Sequence, residues 1–296
     1  EMNKTRLAAI ALISVAVSWG AAFVLMEPAI ERQPIFNFLA DRFTIAVAVM
    51  ILARPSVLQQ FNKKLVLHGS LLGLALGLGY VTQTIGLWFS TAAITGFFTG
   101  LYVALTPLFA WLIFRNKVST KALVGVVLAT IGLAILSAGA IEFGWGEIAL
   151  LACAALFAIH IVGLGIWSSK HDTYALTIIQ LLMCAVVNWI GAFVVEKGVV
   201  LPPDGEVWFA VIFCAVLATA VAFFVQTWAQ SFLDPSRVAI ILTSEVVWAA
   251  AIAYSVGQEK PELLSVIGGS VMLAAMLIVE WPTKNKELVP LEPMTH

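Results

Sequence analysis

Two ionisable side chains stand far inside long apolar stretches of this sequence. Glu245 lies near the middle of one stretch and shares a helical face with Trp248, while His160 lies within another stretch. A carboxyl group or an imidazole in such surroundings can bind a cation, take up a proton or hydrogen-bond a polar solute. The alternative for both is a neutral side chain that is hydrogen-bonded in the core and serves packing alone.

A pair of amides occurs at equivalent places in the two halves of the chain. Gln83 follows Tyr80 by three residues and Gln226 follows Phe223 by three residues, so in a helix each amide shares a face with a ring. Two such faces predict a polar and aromatic site where the halves meet. The alternative is hydrogen bonding between helices without any solute.

Further aromatic residues match between the halves. Tyr102 stands where the second half has Glu245, and Trp19 has Phe157 as its counterpart. A ring this far from the ends of an apolar stretch suits a cavity wall, and it equally suits ordinary core packing.

Asp41 and Arg42 lie closer to one end of their apolar stretch. Counted from Ile35, Arg42 is seven residues into a helix, or about 10 Å of rise. From there its side chain can snorkel to the outer surface or pair with an acid such as Glu27. We therefore predict a structural or gating ion pair here rather than a substrate contact.

Glycines recur at four-residue spacing in two consecutive stretches. Gly73 and Gly77 form one GxxxG step, and Gly96 and Gly100 form another. Glycine on one face of a helix lets two backbones approach closely. The two steps predict a tightly packed pair of helices that can rock past each other during gating.

The apolar stretches that carry these residues dominate the chain. Of its 296 residues, 61% are apolar and 11% are charged, with a mean hydropathy of +1.00 and a formal net charge of −1. A soluble domain has about 25% charged residues, and crossing the hydrocarbon takes about 20 apolar ones. The charge offers no basic footprint for nucleic acid. We predict an all-α polytopic membrane protein with ten transmembrane helices, at 7–26, 35–53, 66–88, 94–114, 121–140, 146–168, 173–195, 206–230, 237–256 and 263–281.

The second half of the chain is a faint copy of the first. Val103 recurs as Val246 and Gly125 as Gly268, at one constant spacing. Because five helices per half is an odd number, the two halves must be inserted upside down relative to each other, a common plan of secondary transporters. The predicted domains are a first five-helix repeat at 1–140, a second, inverted five-helix repeat at 141–283, and a disordered or vector-derived tail at 284–296.

Lysine and arginine are concentrated in alternate loops. The loops on the side of the N-terminus hold most of the cations, and such loops face the cytoplasm. We therefore predict that both termini lie in the cytoplasm. The three cysteines all lie within apolar stretches, which predicts buried thiols rather than disulfides.

Motifs for enzymatic or ATP-driven chemistry are missing from the sequence. There is no nucleophile–base pair, no carboxylate pair, no His-Glu-x-x-His metal motif and no phosphate-binding Gly-x-x-x-x-Gly-Lys loop. We therefore expect neither an enzyme nor a bound metal or cofactor. A channel would need a continuous polar stripe along several helices, whereas the polar groups here gather near mid-depth.

Several short motifs resemble a known family: Trp19-Gly20, Asp41-Arg42-Phe43, Gly79-Tyr80 with Gln83, and Ser244-Glu245-Val246 through Gly257-Gln258-Glu259. The chain resembles the drug/metabolite transporter superfamily in its ten-helix form of two EamA-type repeats, and within it the YddG-like amino-acid exporters of bacteria. It departs from the family pattern at Val246, where proline is frequent, and at Gln258, which interrupts a Gly-Glu pair.

The resemblance implies export of aromatic and other neutral amino acids through a central cavity by alternating access. We expect this cavity to be lined by Trp19, Tyr80, Gln83, Tyr102, His160, Gln226, Glu245 and Trp248. Glu245 and His160 are the candidates for proton coupling, although export down a gradient needs no coupling ion. The expected partners are a small solute and the lipid bilayer, with no obligate protein partner. Export of drugs or other metabolites is the alternative, because a weakly polar aromatic cavity also accepts amphipathic molecules.

Overall fold

The computed structural model of the chain describes residues 4–89, 95, 98–115, 118–136, 144–257, 260 and 263–280. These residues form helices joined by short turns and contain no strand. We number the helices α1 (Lys4–Ile30), α2 (Ile35–Ala53), α3 (Lys63–Phe89), α4 (Tyr102–Phe114), α5 (Thr120–Leu136), α6 (Trp145–Trp167), α7 (Thr173–Val194), α8 (Gly205–Gln230, with a π-helical turn at Val216–Val221), α9 (Pro235–Ser255, interrupted at Ser244) and α10 (Leu263–Glu280).

Seven of these helices are long and apolar enough to cross a membrane: α1, α2, α3, α6, α7, α8 and α9. The other three apolar helices within the described ranges are shorter, at Phe98–Phe114, Thr120–Ile135 and Val266–Val279. In a bilayer only helices and closed barrels satisfy their own backbone hydrogen bonds. The chain is therefore an all-helical polytopic membrane protein, while the count of ten spans and the inverted orientation of the halves stay predictions.

Helix contacts in the first half have counterparts in the second half. Helix α3 packs against α6 and α7, and α8, its counterpart five helices later, packs against α1 and α2. Likewise α4 contacts α6 while α9 contacts α1, and the pairs α2–α7, α4–α9 and α5–α10 each join a helix to its own counterpart. Residues that match between the two halves therefore lie at corresponding helix–helix interfaces.

Helix α9 is interrupted at Ser244, one residue before Glu245. The Thr243 hydroxyl donates to the carbonyl of Ala239 at 2.7 Å, and the Ser244 hydroxyl donates to the carbonyl of Ile241 at 2.6 Å. Hydroxyls that bond back to the preceding turn compete with the helix ladder and bend helices. Two successive hydroxyls thus accompany the break, and the only proline of α9 is Pro235 at its first residue.

The first half has the same break at the equivalent place. Leu101 and Ser244 each donate their backbone amide to the carbonyl three residues earlier, at 3.2 Å in both cases. The residues that follow the breaks are Tyr102, the first residue of α4, and Glu245, the first residue of the second segment of α9. A matched pair of interrupted helices in the two halves is a frequent feature of transporter binding sites.

The predicted rocking pair of the third and fourth spans is wrong. A Cβ added to Gly73 would overlap the backbone carbonyl oxygen of Gln180 on α7, and one added to Gly77 would lie 3.2 Å from the Val187 side chain, also on α7. Gly100 faces Leu133 on α5 instead, and Gly96 lies outside the described residues. Glycine spacing identifies a face on which a helix can approach closely, but it does not identify the partner helix.

Candidate functional site

Two pairs of aromatic rings join the first half of the chain to the second. The rings of Trp19 and Phe223 lie 5.5 Å apart between α1 and α8, and those of Tyr80 and Phe157 lie 5.5 Å apart between α3 and α6. A third ring, Tyr102, approaches Phe157 edge-on at 6.5 Å. Such tilted and edge-to-face contacts are the favoured geometries of aromatic pairs. The predicted cavity residues Trp19, Tyr80 and Tyr102 therefore belong to one aromatic cluster.

The π-helical turn of α8 binds Trp19 of this cluster and one further side chain, that of Arg42. The Trp19 indole Nε1–H donates to the carbonyl of Ala218 at 2.8 Å, and the Arg42 Nη2 donates to the same oxygen at 3.0 Å. Arg42 Nε also donates to the hydroxyl of Thr219 at 2.5 Å. A π-turn leaves carbonyls free of the regular helix ladder, and such turns are frequent at functional sites. The turn thereby fixes an indole and a guanidinium beside each other.

The predicted surface position of Arg42 is wrong. Its side chain does not snorkel to the surface or pair with Glu27, which is exposed; Arg42 is only 3% exposed. No carboxylate oxygen of the described residues lies within 4.0 Å of its guanidinium. Its neighbour Asp41 is bound separately, accepting a hydrogen bond from Gln33 Nε2 at 2.8 Å. Because consecutive residues point in different directions from a helix, the two charges serve different contacts.

The Arg42 guanidinium also lies near two aromatic rings. Its Cζ is 5.8 Å from the ring centre of Phe43 and 5.9 Å from that of Tyr80. At this distance a guanidinium is attracted to the electron-rich ring face. Arg42, which the sequence placed near the outer end, thus belongs to the same site as the aromatic cluster.

Glu245 reaches this site from the break in α9. The residue lies deep in the protein but keeps some accessible surface, and within the described chain its carboxyl group makes no hydrogen bond. It is close enough to Arg42, Tyr80, Tyr102 and Cys153 for electrostatic interaction. A carboxyl group that is surrounded by protein, accessible and unbonded is free to bind a solute.

The hydroxyl group of Tyr102 is another polar group without a well-aligned partner among the described residues. It is buried and makes no hydrogen bond of regular geometry in the described part of the chain, although the Thr243 hydroxyl lies beside it. A buried tyrosine hydroxyl normally has a well-aligned partner. Trp248, one helical turn after Glu245, uses its indole within α9 and donates to Ser244 Oγ at 3.3 Å. The break therefore leaves the Tyr102 hydroxyl and the Glu245 carboxyl as the polar groups of the cluster that lack a well-aligned hydrogen bond.

His160 has the geometry of a hydrogen-bonded core residue. It is 2% exposed, and its Nε2 lies 2.8 Å from Oε1 of Gln180. Gln180 in turn donates to the hydroxyl of Thr227 at 3.4 Å. The His160 ring meets Phe223 edge-on at 6.2 Å, so it contacts the aromatic cluster through Phe223. These contacts agree with the packing interpretation of this histidine, and a role in coupling stays a prediction.

The two glutamines matched by sequence do not bond to each other. Gln83 Nε2 donates to Thr99 Oγ1 at 3.3 Å, whereas Gln226 Nε2 donates to Gln230 Oε1 at 3.0 Å. The amide oxygen of Gln226 is buried and without a partner among the described residues. The sequence did not predict Phe43, Phe157, Phe223 or Thr219 as substrate-binding residues. It carried a signal for two of them, because Phe157 is the repeat counterpart of Trp19 and Phe223 shares a predicted helix face with Gln226.

Two cavities open near the ends of the helices. One of about 620 Å³ is lined by Phe61, Asn62, Lys63, Val66, Leu67 and Ser70. Another of about 400 Å³ is lined by Leu25, Pro28, Ala29, Arg32, Gly205, Glu206, Val207, Phe209 and Ala210. Neither is lined by the predicted substrate-binding residues, so the central cavity stays a prediction. Within the described ranges, no three His, Cys, Asp or Glu side chains are grouped as a metal ion requires.

Sequence comparison finds the same two-part organisation. The profile of the EamA-like transporter family matches residues 6–138 and again residues 144–281. A protein of Archaeoglobus fulgidus named as an uncharacterized transporter is 30% identical over 279 residues, which cover 94% of this chain and 87% of that protein. The uncharacterized transporter YvbV of Bacillus subtilis is 24% identical over 295 residues, covering 97% of this chain and 94% of that protein.

Structure comparison agrees on the fold. A solved crystal structure superimposes with a TM-score of 0.79 and is 19% identical, covering 93% of this chain and 96% of its own. At this identity the similarity concerns the fold alone.

Proposed function

The chain belongs to the EamA-like transporter family, and we propose that it exports small neutral, especially aromatic, amino acids from the cytoplasm by alternating access. The observation that carries this proposal is the cluster formed by two equivalent ring pairs, Trp19 with Phe223 and Tyr80 with Phe157. Each pair takes one ring from each half of the chain. A solute that lies among these rings would contact both halves and would sense their relative movement.

The chemistry of the cluster suits a small, net-neutral solute. The rings offer apolar faces to a side chain, and the Tyr102 hydroxyl and Glu245 carboxyl offer hydrogen bonds to a polar end. Of the substrate-binding residues we propose, Trp19, Tyr80, Tyr102, Glu245 and Trp248 lie at or next to this cluster. Gln83, His160 and Gln226 complete the set. A site of this kind distinguishes single methylenes by only about 1–3 kcal/mol, so we expect broad selectivity.

The interrupted helices support a mechanism of alternating access. Tyr102 and Glu245 stand at the start of helical segments, where the positive end of the helix dipole lies. Polar groups at the ends of broken helices are a recurring way of binding solutes and ions within a bilayer. We propose that the protein works in the bacterial cytoplasmic membrane, with both termini in the cytoplasm.

Export of drugs or other metabolites is the second candidate function. Its support is the single unbonded carboxyl group of Glu245 among aromatic rings, an arrangement that also attracts organic cations. For such a solute Glu245 would be the counter-ion, whereas the buried charge of Arg42 would oppose binding.

Efflux from proteoliposomes tests the proposal. Vesicles containing the purified protein would be loaded with labelled aromatic, small neutral or basic amino acids, a sugar or a cationic drug, each with and without an imposed pH gradient. We expect saturable efflux of the neutral amino acids alone. Efflux of the cationic drug without amino-acid movement would contradict the proposal and would favour the second candidate.

A further inference from the structure

Arg42 is a buried cation that no carboxylate of the described residues contacts. Its hydrogen bonds go to neutral acceptors only, the carbonyl of Ala218, the hydroxyl of Thr219 and, at 3.5 Å, the sulfur of Met26. Arginine stays charged at any physiological pH and carries five N–H donors in a fixed fork. A buried charge that lacks an opposite charge is strongly unfavourable. The structure thus holds a guanidinium that is hydrogen-bonded in a fixed position but whose charge no contacting carboxylate of the described residues neutralises.

Glu245 provides the opposite charge in the same cluster, but not as a partner of Arg42. The guanidinium and the carboxyl group interact electrostatically, yet they do not form a salt bridge. Each is held by its own helix: the π-helical turn of α8 fixes Arg42, and Glu245 begins the second segment of α9. Arg42 Cζ lies 5.9 Å from the ring centre of Tyr80, and the hydroxyl end of Tyr80 also interacts electrostatically with Glu245. The two charges are therefore separated rather than neutralised.

We propose that Arg42 and Glu245 are the two ends of a binding site for a zwitterionic head group. Arg42 would bind the α-carboxylate of an amino acid through the N–H groups that its contacts with α8 and α1 leave unused, and Glu245 would bind the α-ammonium group. The solute side chain would then lie among the rings of Trp19, Tyr80 and Phe223. This inference rests on the proposed function and narrows it to solutes that carry both charges.

The arrangement would select against solutes that carry one charge. An amino-acid amide would leave Arg42 without its anion, and a deaminated acid would leave Glu245 without its cation. A site built to hydrogen-bond a group rejects an analogue that lacks it, because its own buried groups are then left unpaired. This selection depends on Arg42 and Glu245 each binding the solute and not each other.

Competition experiments in proteoliposomes test the inference. Exchange of labelled phenylalanine would be inhibited by phenylalanine, by phenylalanine amide, which lacks the carboxylate, and by 3-phenylpropionate, which lacks the ammonium group. Hydrogen bonds to charged groups contribute enough for about a tenfold to a hundredfold preference for phenylalanine over either analogue. We expect Arg42→Gln to abolish the preference over the amide only, and Glu245→Gln to abolish the preference over the acid only.

Matched controls come from the exposed ion pair at the outer surface. Arg32 donates to Glu206 at 2.9 Å, and both side chains are largely solvent-exposed. Arg32→Gln and Glu206→Gln should keep both preferences. The preferences are ratios measured within one variant, so they do not depend on the amount of folded protein. If Arg42→Gln does not fold, Arg42→Lys keeps the charge without the fork and should show a reduced preference over the amide.

The outcomes separate this inference from the proposed function. Wild-type protein that exchanges no amino acid would contradict the proposed function itself. Wild-type protein that exchanges phenylalanine but is inhibited equally by all three compounds would overturn the inference alone. So would an Arg42→Gln variant that keeps the full preference over the amide.

Discussion

The indole of Trp19 and the ring of Phe223 lie 5.5 Å apart, and their repeat counterparts Phe157 and Tyr80 lie at the same separation. The two ring pairs join α1 to α8 and α6 to α3, contacts that are equivalent when the halves are exchanged. Trp19 differs from Phe157 in one respect, because its Nε1–H also bonds to the π-helical turn at Ala218. The first ring pair is therefore tied to the turn that holds Arg42.

Substitution of Trp19 should separate its two roles. Trp19→Phe keeps a ring against Phe223 but loses the hydrogen bond to Ala218, so we expect a several-fold rise in the KM of solute export, from about 1 kcal/mol of lost interaction. Trp19→Ala also removes the ring and should raise the KM about tenfold or more. Efflux kinetics in proteoliposomes measure both. Trp145, which is 79% exposed, supplies the control, and unchanged kinetics in Trp19→Ala would exclude Trp19 from the site.

Glycine substitutions on α3 should follow the closeness of α7. A methyl group at Gly73 meets a backbone carbonyl, which cannot move aside, whereas one at Gly77 meets the Val187 side chain at 3.2 Å. We expect Gly73→Ala to destabilise the protein by about 1–3 kcal/mol and Gly77→Ala by less. Thermal unfolding in detergent measures both.

The control for the glycine series is Gly205→Ala. An added Cβ at Gly205 meets nothing within 4 Å, so this variant should keep the unfolding temperature of the wild type. If Gly77→Ala were as damaging as Gly73→Ala, the α3–α7 contact would not be set by the backbone approach that the structure shows.

We expect substitutions of Glu245 and of His160 to have opposite effects on proton coupling. The Glu245 carboxyl is accessible and unbonded, whereas His160 is buried and bonded to Gln180. If a pH gradient accelerates export, Glu245→Gln should abolish the acceleration, and the weaker solute exchange that remains should have the same rate with and without the gradient. His160→Gln should leave the acceleration unchanged. Efflux rates measured with and without an imposed pH gradient test both expectations. Retained acceleration in Glu245→Gln would show that this carboxyl group is not on the proton path.

Much of the fold could be predicted from the sequence, because hydrophobicity and repeat spacing follow directly from residue order. The repeat also matched Trp19 with Phe157, and the structure places both in equivalent ring pairs. The break in α9 was harder to predict, because Val246 stands where the family often has proline. The hydroxyls of Thr243 and Ser244 accompany that break through local backbone bonds.

The contacts between helices could not be predicted in the same way. Gln83 and Gln226 match in sequence but bond to different neighbours, because a repeat specifies equivalent positions and not which of them meet. The sequence placed Arg42 near the outer surface because it carries no recognised signal for the π-helical turn. That turn supplies the Ala218 carbonyl and the Thr219 hydroxyl that accept hydrogen bonds from Arg42. The position of Arg42 along α2 therefore did not reveal which residues of α8 accept its hydrogen bonds.

The pair formed by His68 and His171 should make stability depend on pH. His68 Nδ1 lies 2.8 Å from His171 Nε2, and His68 stacks on Trp167 at 4.4 Å. Partial burial, with the charges of His68 and Lys170, lowers the pKa of His171 below its usual value. The unfolded chain therefore takes up more protons as the pH falls below about 6.5, and stability present above that pH is lost toward the lower folded-state pKa. The unfolding temperature should fall between about pH 8 and about pH 5.5. His171→Gln should flatten this dependence. Lys170→Gln should make it smaller, because the folded-state pKa of His171 then rises toward its ordinary value. An unchanged slope in His171→Gln would show that other groups cause the dependence.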